Sequence, residues 1–550
     1  MSKRRKHFDV NEPLRHADHP RPVTRREFVR QGFLTGSAYV LAGSAFSLLS
    51  NPRQAMAVSP DLTALAAGMA NPCVLGGLSG QAMIPFICFD LAGGANIAGS
   101  NVVVGKAGGQ TDFLTTAGYS KLGIPGDIIP GLSDTLLAGT MQNPSTGSFM
   151  NNQLGLSFHT DSAMLRGILD KFNPAVGGGV VDGTVIPARS DNDTGNNPHN
   201  PMYLLAKAGL NGSVVRLIGS SNSDSGGNSM SPAAYMNPEF RPTKVDRPSD
   251  VTGMVDVGDL TAVLSDPADV TAVMESMARI SHKKIRMGAT NPGTTPTNNI
   301  MIKDMLQCGY LKSADIANRF AGVPVDPSLD LQIVGPTGIF ANETVFDAGT
   351  AKYRFLDSEF SKTSSVMKMV INGYAGAGCV TMGGFDYHTG DRSTGEARDL
   401  RAGRCIGACL AYARRLNKPL MIYVFSDGSL SSNGRLDNST GGRGKGEWTG
   451  DNESTACSFF LVFNPAGTIT VSPTTLLTDH HQIGWFSGDG SVTPSSSPAA
   501  NNVNLLVNTV VANYLALHKI PNTNQPMSLA SVVANHGLGD LNRVVSFAPL

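Results

Sequence analysis

The chain carries 43 Lys+Arg against 43 Asp+Glu over 550 residues, with 62 glycines and 32 prolines. That balance hides an asymmetry, because residues 1–57 hold 10 basic and 4 acidic groups and leave 33 basic against 39 acidic in the remainder. A net charge near −6 after residue 57 excludes the basic face that nucleic-acid binding requires, and the Gly, Pro, Asn, Ser and Thr content favours long structured loops over a helical bundle.

The N-terminal segment is read first. A basic stretch precedes Thr24-Arg25-Arg26-Glu27-Phe28-Val29, an apolar run rich in Gly, Ala, Ser and Leu follows over residues 32–49, and Ala55-Met56-Ala57 offers small residues at −3 and −1. Charged region, apolar region and small-residue site in that order describe a signal peptide. The Arg25-Arg26 pair, with Thr before and Phe two positions after, resembles the twin-arginine consensus. The expectation is therefore a signal peptide over 1–57, marked by Arg25, Arg26, Ala55 and Ala57. The twin-arginine translocase would be the partner during export, and the destination periplasmic or secreted. The apolar run is weak and at the short end of a bilayer span. No later stretch is long and apolar enough to cross, so no stable membrane span is expected after cleavage.

Seven cysteines are scattered at 73, 88, 308, 379, 405, 409 and 457. They form no CxxC and no zinc-type spacing. A protein folded before export is made in a reducing compartment, so mostly buried free thiols are the default expectation, with a disulfide formed after export as the alternative.

Beyond the leader, residues 83–89 form an apolar run bounded by Asp90 and Gly93-Gly94, which predicts a buried strand. A short helix near 204 and a strand over 213–218 follow. Residues 248–330 turn helical, with Val270, Val273, Met274 and Met277 at one-face spacing. Another helix is predicted over 355–374 and a strand over 378–382. Residues 396–416 place Leu400, Cys405, Cys409, Leu410, Ala413 and Leu416 on one side, as a crossover helix leading into a strand at 420–425. A strand at 457–463 and a helix at 501–519 complete the series. Strand, helix, strand at this spacing predicts an α/β fold with a mostly parallel central sheet, helices on both faces and long loop insertions. It reads as one domain over 58–550, with 248–330 as a helical insertion. Loops at strand C-termini are where sites form in such sheets.

Three predicted strands end in carboxylate or imidazole: Asp90, then Asp386 and His388 in Gly384-Phe385-Asp386-Tyr387-His388, then Asp427 in Ser426-Asp427-Gly428. Each Asp alone could be a helix N-cap. Delivered side by side at one sheet rim, like charges would repel unless a cation sat among them. A divalent metal (Zn, Mn, Mg or Ca) on Asp90, Asp386, His388 and Asp427 would resolve that crowding. Asp479-His480-His481 is a second polar cluster, and vicinal histidines point apart in most backbones, so at most one is expected to ligate. His199 could bind metal or backbone. His159 and His536 read as satisfied structural residues. Ser100 and Thr194 lie in loops without flanks that mark a nucleophile.

The segments 89–96 (Phe-Asp-Leu-Ala-Gly-Gly-Ala-Asn), 383–388 (Gly-Gly-Phe-Asp-Tyr-His) and 425–428 (Phe-Ser-Asp-Gly) together resemble an exported bacterial family of unknown function. That family carries twin-arginine leaders within the alkaline phosphatase/sulfatase-like superfamily. The resemblance is most specific at 383–388. It implies an alkaline phosphatase-like fold and a metal role for Asp90, Asp386, His388 and Asp427. This chain departs from the pattern in two places: Gly428 stands where active members place a metal-binding His, and the later Asp-His-Gly appears only as Asp451-Asn452-Glu453.

Two functions follow as expectations. One is a metal-dependent hydrolase of phosphate or sulfate esters, small-molecule or polysaccharide, with a degenerate metal site. The other is a non-catalytic binding or surface-assembly protein on the same fold. A cofactor-loaded oxidoreductase is disfavoured, because no GxGxxG follows a strand, no CxxCH occurs and no iron–sulfur cysteine set is present.

Overall fold

The computed structural model describes residues 58–70, 73, 83–132, 148–190, 197–256, 260–264, 266–287, 296–320 and 323–550. The expected signal residues Arg25, Arg26, Ala55 and Ala57 lie outside these, as does Thr194. No helix among the described residues is long and apolar enough to cross a membrane.

The chain divides into two compact units, one taking in 257–323 with the residues up to Gly76, the other Gly77–Asp256 with Pro324–Leu550. The sequence reading drew a single domain over 58–550 with a helical insertion at 248–330. In the structure the helices Pro267–Met287 and Pro296–Phe320 group with Pro60–Ala67, while Pro248–Val255 stays with the α/β unit. The helical unit has its own small core, in which Leu62, Ala66 and Met69 pack with Ala278, Leu311 and Ala314. A disulfide joins Cys73 to Cys308 there. This corrects the expectation of free thiols for that pair: the fold brings Cα atoms 235 residues apart in sequence to 5.4 Å, a proximity that spacing alone does not reveal. Cys88, Cys379, Cys405, Cys409 and Cys457 are free and buried.

The larger unit is built on seven strands: β1 (Phe86–Leu91), β2 (Val180–Pro187), β3 (Val215–Gly219), β4 (Thr243–Lys244), β5 (Ala375–Met382), β6 (Leu420–Ser426) and β7 (Cys457–Asn464). Their order across the sheet is β2-β7-β6-β1-β5-β3-β4. The run from β6 to β4 is parallel, whereas β7 is antiparallel to both its neighbours. The mixed α/β architecture and mostly parallel sheet agree with the sequence reading. The antiparallel β7 departs from its parallel βαβ pattern: no α-helix lies between β6 and β7, so no βαβ unit forms there. Strand β2 escaped the sequence reading, since Asp182-Gly183 interrupts its apolar pattern.

Both faces of the central strands are covered, which explains their continuous apolar runs. On one face Phe86, Cys88, Ala377, Cys379, Met421 and Tyr423 pack with Val507, Val510, Val511 and Tyr514 of the helix Val503–Ala516. On the other, the helix Ser358–Ile371 seats Val366 and Val370 against Gly378, where a Cβ would come within 2.5 Å of Val366 Cγ1. The crossover helix Ser393–Arg415 meets the helix Ala163–Lys171 at closest range. A Cβ on Gly403 would lie 2.0 Å from the Met164 carbonyl, so only glycine admits this approach.

Candidate functional site

Strand β1 lies between β5 and β6, and all three run the same way, so their C-terminal ends open on one rim. Register places Asp90 beside Phe425 and Thr381, and Leu91 beside Ser426 and Met382. The predicted convergence of Asp90, Asp386, His388 and Asp427 on one end of the sheet therefore follows from the strand order. The four do not, however, occupy equivalent positions.

Asp90 is wholly buried. It points to the same sheet face as Phe86 and Cys88, by the two-residue alternation of a strand. Its Oδ2 accepts hydrogen bonds from the backbone amides of Asn228 (2.7 Å) and Ser229 (2.8 Å), and Ser229 Oγ lies 3.3 Å from Oδ1. Gly227 permits this close approach, because a Cβ there would fall 2.6 Å from Asp90 Oδ2. Burial pushes the Asp90 carboxyl up to about 7, with the neighbouring Asp427 acting in the same direction against the amide hydrogen bonds. The loop after β3 thus fills Asp90 Oδ2 with two amides and leaves Oδ1 to the Ser229 hydroxyl.

Asp427 is held almost as firmly. Its Oδ1 accepts from the Gly93 amide (2.8 Å) and its Oδ2 from Asn228 Nδ2 (2.7 Å), while its carbonyl accepts from Ser190 Oγ (2.7 Å) and Asn197 Nδ2 (2.6 Å). The Gly93-Gly94 turn after β1 aims its amides at the end of β6: Ser426 Oγ receives those of Gly94 (3.2 Å) and Ala95 (2.8 Å).

Asp386 and His388 stand apart from this inner pair. Phe385 and Tyr387 are buried at 1 % and 3 % exposure, so the alternating Asp386 and His388 are turned outward. His388 Nδ1 lies 2.5 Å from Asp386 Oδ1 and 3.3 Å from Asp451 Oδ1. The ligand atoms of these three residues all lie within 4.8 Å of one another. His388 Nδ1 is out of reach of water, yet it makes no hydrogen bond of acceptable geometry among the described residues, despite that short approach. Asp451 arrives because Gly450–Asp451 pairs antiparallel with Leu430–Ser431, directly after β6. Asn452 accepts the Ser454 amide instead of facing the cluster. Gly93 is wedged behind: at φ +123°, a Cβ there would come within 2.5 Å of the Asp386 nitrogen.

The four residues read from the sequence as a metal set fall into two groups of neighbours. Asp386 and His388 meet Asp451, and Asp90 and Asp427 form a separate hydrogen-bonded layer. Asp451 was named in sequence only as the remnant of a motif. Asn228 and Ser229 were not singled out at all, and the glycine pair at 226–227 after a strand is the only local sign of them.

Other candidates resolve individually. Ser100 is buried with its hydroxyl donating to the Leu122 carbonyl (2.7 Å), so it offers no nucleophile. His159 is buried against the Ile128 carbonyl (2.8 Å), and burial lowers its pKa to about 4. His199 is buried and stacks on Phe425 with centroids 5.9 Å apart. The Leu538 amide donates to His536 Nδ1 (3.1 Å). His480 and His481 contradict the expectation that neighbouring imidazoles diverge. Their ring centroids are 3.8 Å apart and both face Asp182, because the backbone at 480–481 is tied to β2 through Thr184 and Val185.

Compared with known proteins, this chain matches no family model, no curated protein and no solved structure.

Proposed function

We propose that this is an exported protein with an alkaline phosphatase-like fold that holds one divalent cation on Asp386, His388 and Asp451 and hydrolyses a phosphate or sulfate ester there. The observation that supports it is the approach of Asp386 Oδ1 to a His388 Nδ1 lacking a properly formed hydrogen bond, with Asp451 Oδ1 alongside. Two carboxylates that crowd one imidazole nitrogen favour a cation beside them. Two carboxylates and one imidazole suit Mn, Mg or Ca better than the nitrogen- and sulfur-rich sets typical of Zn. When bound, such a cation polarises the ester and stabilises the charge developing on its oxygens.

The chain's own residues would do the rest. The Asn228 side chain, fixed on Asp427, presents an amide near the rim. Arg398 donates to the Gly383 carbonyl (3.1 Å), three residues before Asp386, and is the cation of this chain that would meet an anionic ester group there, since Arg401 and Arg404 are paired with Asp357 and Asp170. The attack is assigned to water: its oxygen bonds to phosphorus or sulfur as the ester oxygen leaves and takes the proton.

A second reading, a non-catalytic binding or surface-assembly protein, is favoured by the inner layer. The Gly93 amide, which could receive a substrate oxygen, is filled by Asp427, and Asp90 Oδ2 is filled by the loop after β3. The test is metal titration of the stripped protein followed by aryl-phosphate and aryl-sulfate assays with Mn, Mg, Ca and Zn. Saturable binding with turnover, both lost in Asp386→Ala, supports the hydrolase. Binding without turnover selects the second reading, and absence of binding removes the proposed centre.

A further inference from the structure

A second cluster of ligating side chains lies far from the sheet rim. Asp182 sits in the edge strand β2, and register carries it across β7 (Val462) to Met421 at the start of β6. The rim lies beyond Ser426, five residues along, or about 16 Å at strand rise. Here His481 Nε2 is 3.1 Å from Asp182 Oδ1, and His480 Nε2 is 3.9 Å from Asp182 Oδ2. All three offer ligand atoms within 4.8 Å of one another. Bonds of about 2.0 Å in a tetrahedral site place ligand atoms roughly 3.3 Å apart, a spacing that these two distances bracket.

An independent feature is the support behind the cluster. Asp479 Oδ1 lies 3.1 Å from His481 Nδ1, and Asp479 Oδ2 accepts the Gln110 amide (2.9 Å). A carboxylate on the far nitrogen of an imidazole fixes the ring and directs the other nitrogen forward, as outer partners do in metal sites. Gly109 makes room for it, since a Cβ there would fall 2.2 Å from Asp479 Cβ. The backbone is equally constrained: the Val185 amide donates to the His481 carbonyl (2.8 Å), and Thr184 Oγ1 to that of His480 (2.9 Å). Both imidazoles are about one-quarter exposed, which leaves a path for an ion and a coordinated water.

We propose that Asp182, His480 and His481 form a structural transition-metal site, with Asp479 as the residue that orients His481. The ion is of the Zn²⁺ class, which favours two imidazoles and a carboxylate in tetrahedral array. It would clip the 479–483 segment onto the outer edge of β2, adding to the backbone bonds that already join Val185 to His481 and Ile483. This inference does not depend on the hydrolase reading.

The experiment uses the purified chain carrying His388→Ala, to silence the rim, stripped with chelator and titrated with Co²⁺ and Zn²⁺. Expected are one ion per chain, visible Co²⁺ ligand-field bands of a tetrahedral site, and a rise in Tm on Zn²⁺ addition. His480→Ala in that background should abolish saturable binding. Asp479→Asn, which preserves shape, should weaken it about 10–100-fold while circular dichroism stays unchanged. Absence of binding in the His388→Ala chain, or binding equally tight after His480→Ala, would overturn the proposal.

Discussion

The rim of the sheet and its β2 edge both gather carboxylates and imidazole, but they satisfy them in different ways. At the rim the strand-end aspartates are consumed from within: Asp90 by the Asn228 and Ser229 amides, Asp427 by Gly93 and the Asn228 side chain. What remains for a cation is an outer trio with a single imidazole. At the edge, two imidazoles share one carboxylate and a second carboxylate braces them from behind. Number of acids does not decide where a cation goes. A backbone amide reaches the edge as well, from Gly183 to Asp182 Oδ1 (2.7 Å), so the contrast lies in the imidazoles, two at the edge against one at the rim.

The sharpest way to break this comparison is to remove one outer ligand at a time. Asp386→Ala and His388→Ala should each lower cation affinity at the rim by at least about 100-fold, since even outer partners are worth 10–100-fold, and leave Co²⁺ binding at the edge unaltered. Calorimetric titration of both variants checks this. Asp90→Asn should do the reverse of what a ligand would: cation affinity should stay as in the wild type, because an amide oxygen can still accept from Asn228 and Ser229. Loss of binding in that variant would restore Asp90 to the ligand set.

Gly93→Ala is expected to act through shape. A methyl group 2.5 Å from the Asp386 nitrogen, at a φ that side chains avoid, should destabilise the larger unit by about 2–4 kcal/mol in denaturant melts. It should also weaken the rim site while sparing the edge. Reduction of Cys73–Cys308 with a phosphine supplies the control. It should cost the helical unit about 2–4 kcal/mol and change neither cation affinity.

Much of this architecture was legible because local physics dominates it. A short apolar run such as 420–425, entered past Pro419, reads as a buried strand, and the spacing of Leu400, Cys405, Cys409 and Ala413 reads as a helix with one apolar face. The strand-end logic names Asp90, Asp386, His388 and Asp427 together without any contact information. It did not foresee their separation into two layers, because that depends on the loop at 226–229, more than 130 residues from Asp90 in sequence. The edge cluster was illegible for the same reason: Asp182 meets His481 across a separation of 299 residues. Within the 479–481 segment only the histidines show, and their shared orientation is imposed by pairing to β2.

The smallest expected effect concerns a carboxyl just behind the rim, and its sign discriminates between burial and pairing. Asp399 on the crossover helix is buried, accepts Asn101 Nδ2 (2.8 Å), and is pushed up to about 7 chiefly by burial, with Glu396 adding repulsion. A carboxyl whose folded pKa lies above its unfolded value of about 3.9 stabilises the fold fully only below that lower value. The contribution is lost as pH rises toward 7. His159 and His518 work the other way, since burial lowers both to about 4 and their contribution grows as pH rises through about 6.5. Asp399→Asn removes only the first component. Its advantage over the wild type should therefore be small at pH 4.5 and grow by about 1–3 kcal/mol by pH 8, read from urea melts at the two pH values. An advantage that shrinks with pH would mean that attraction from Lys445 and Arg392 outweighs burial, and that this acid belongs to the ion network beneath the rim.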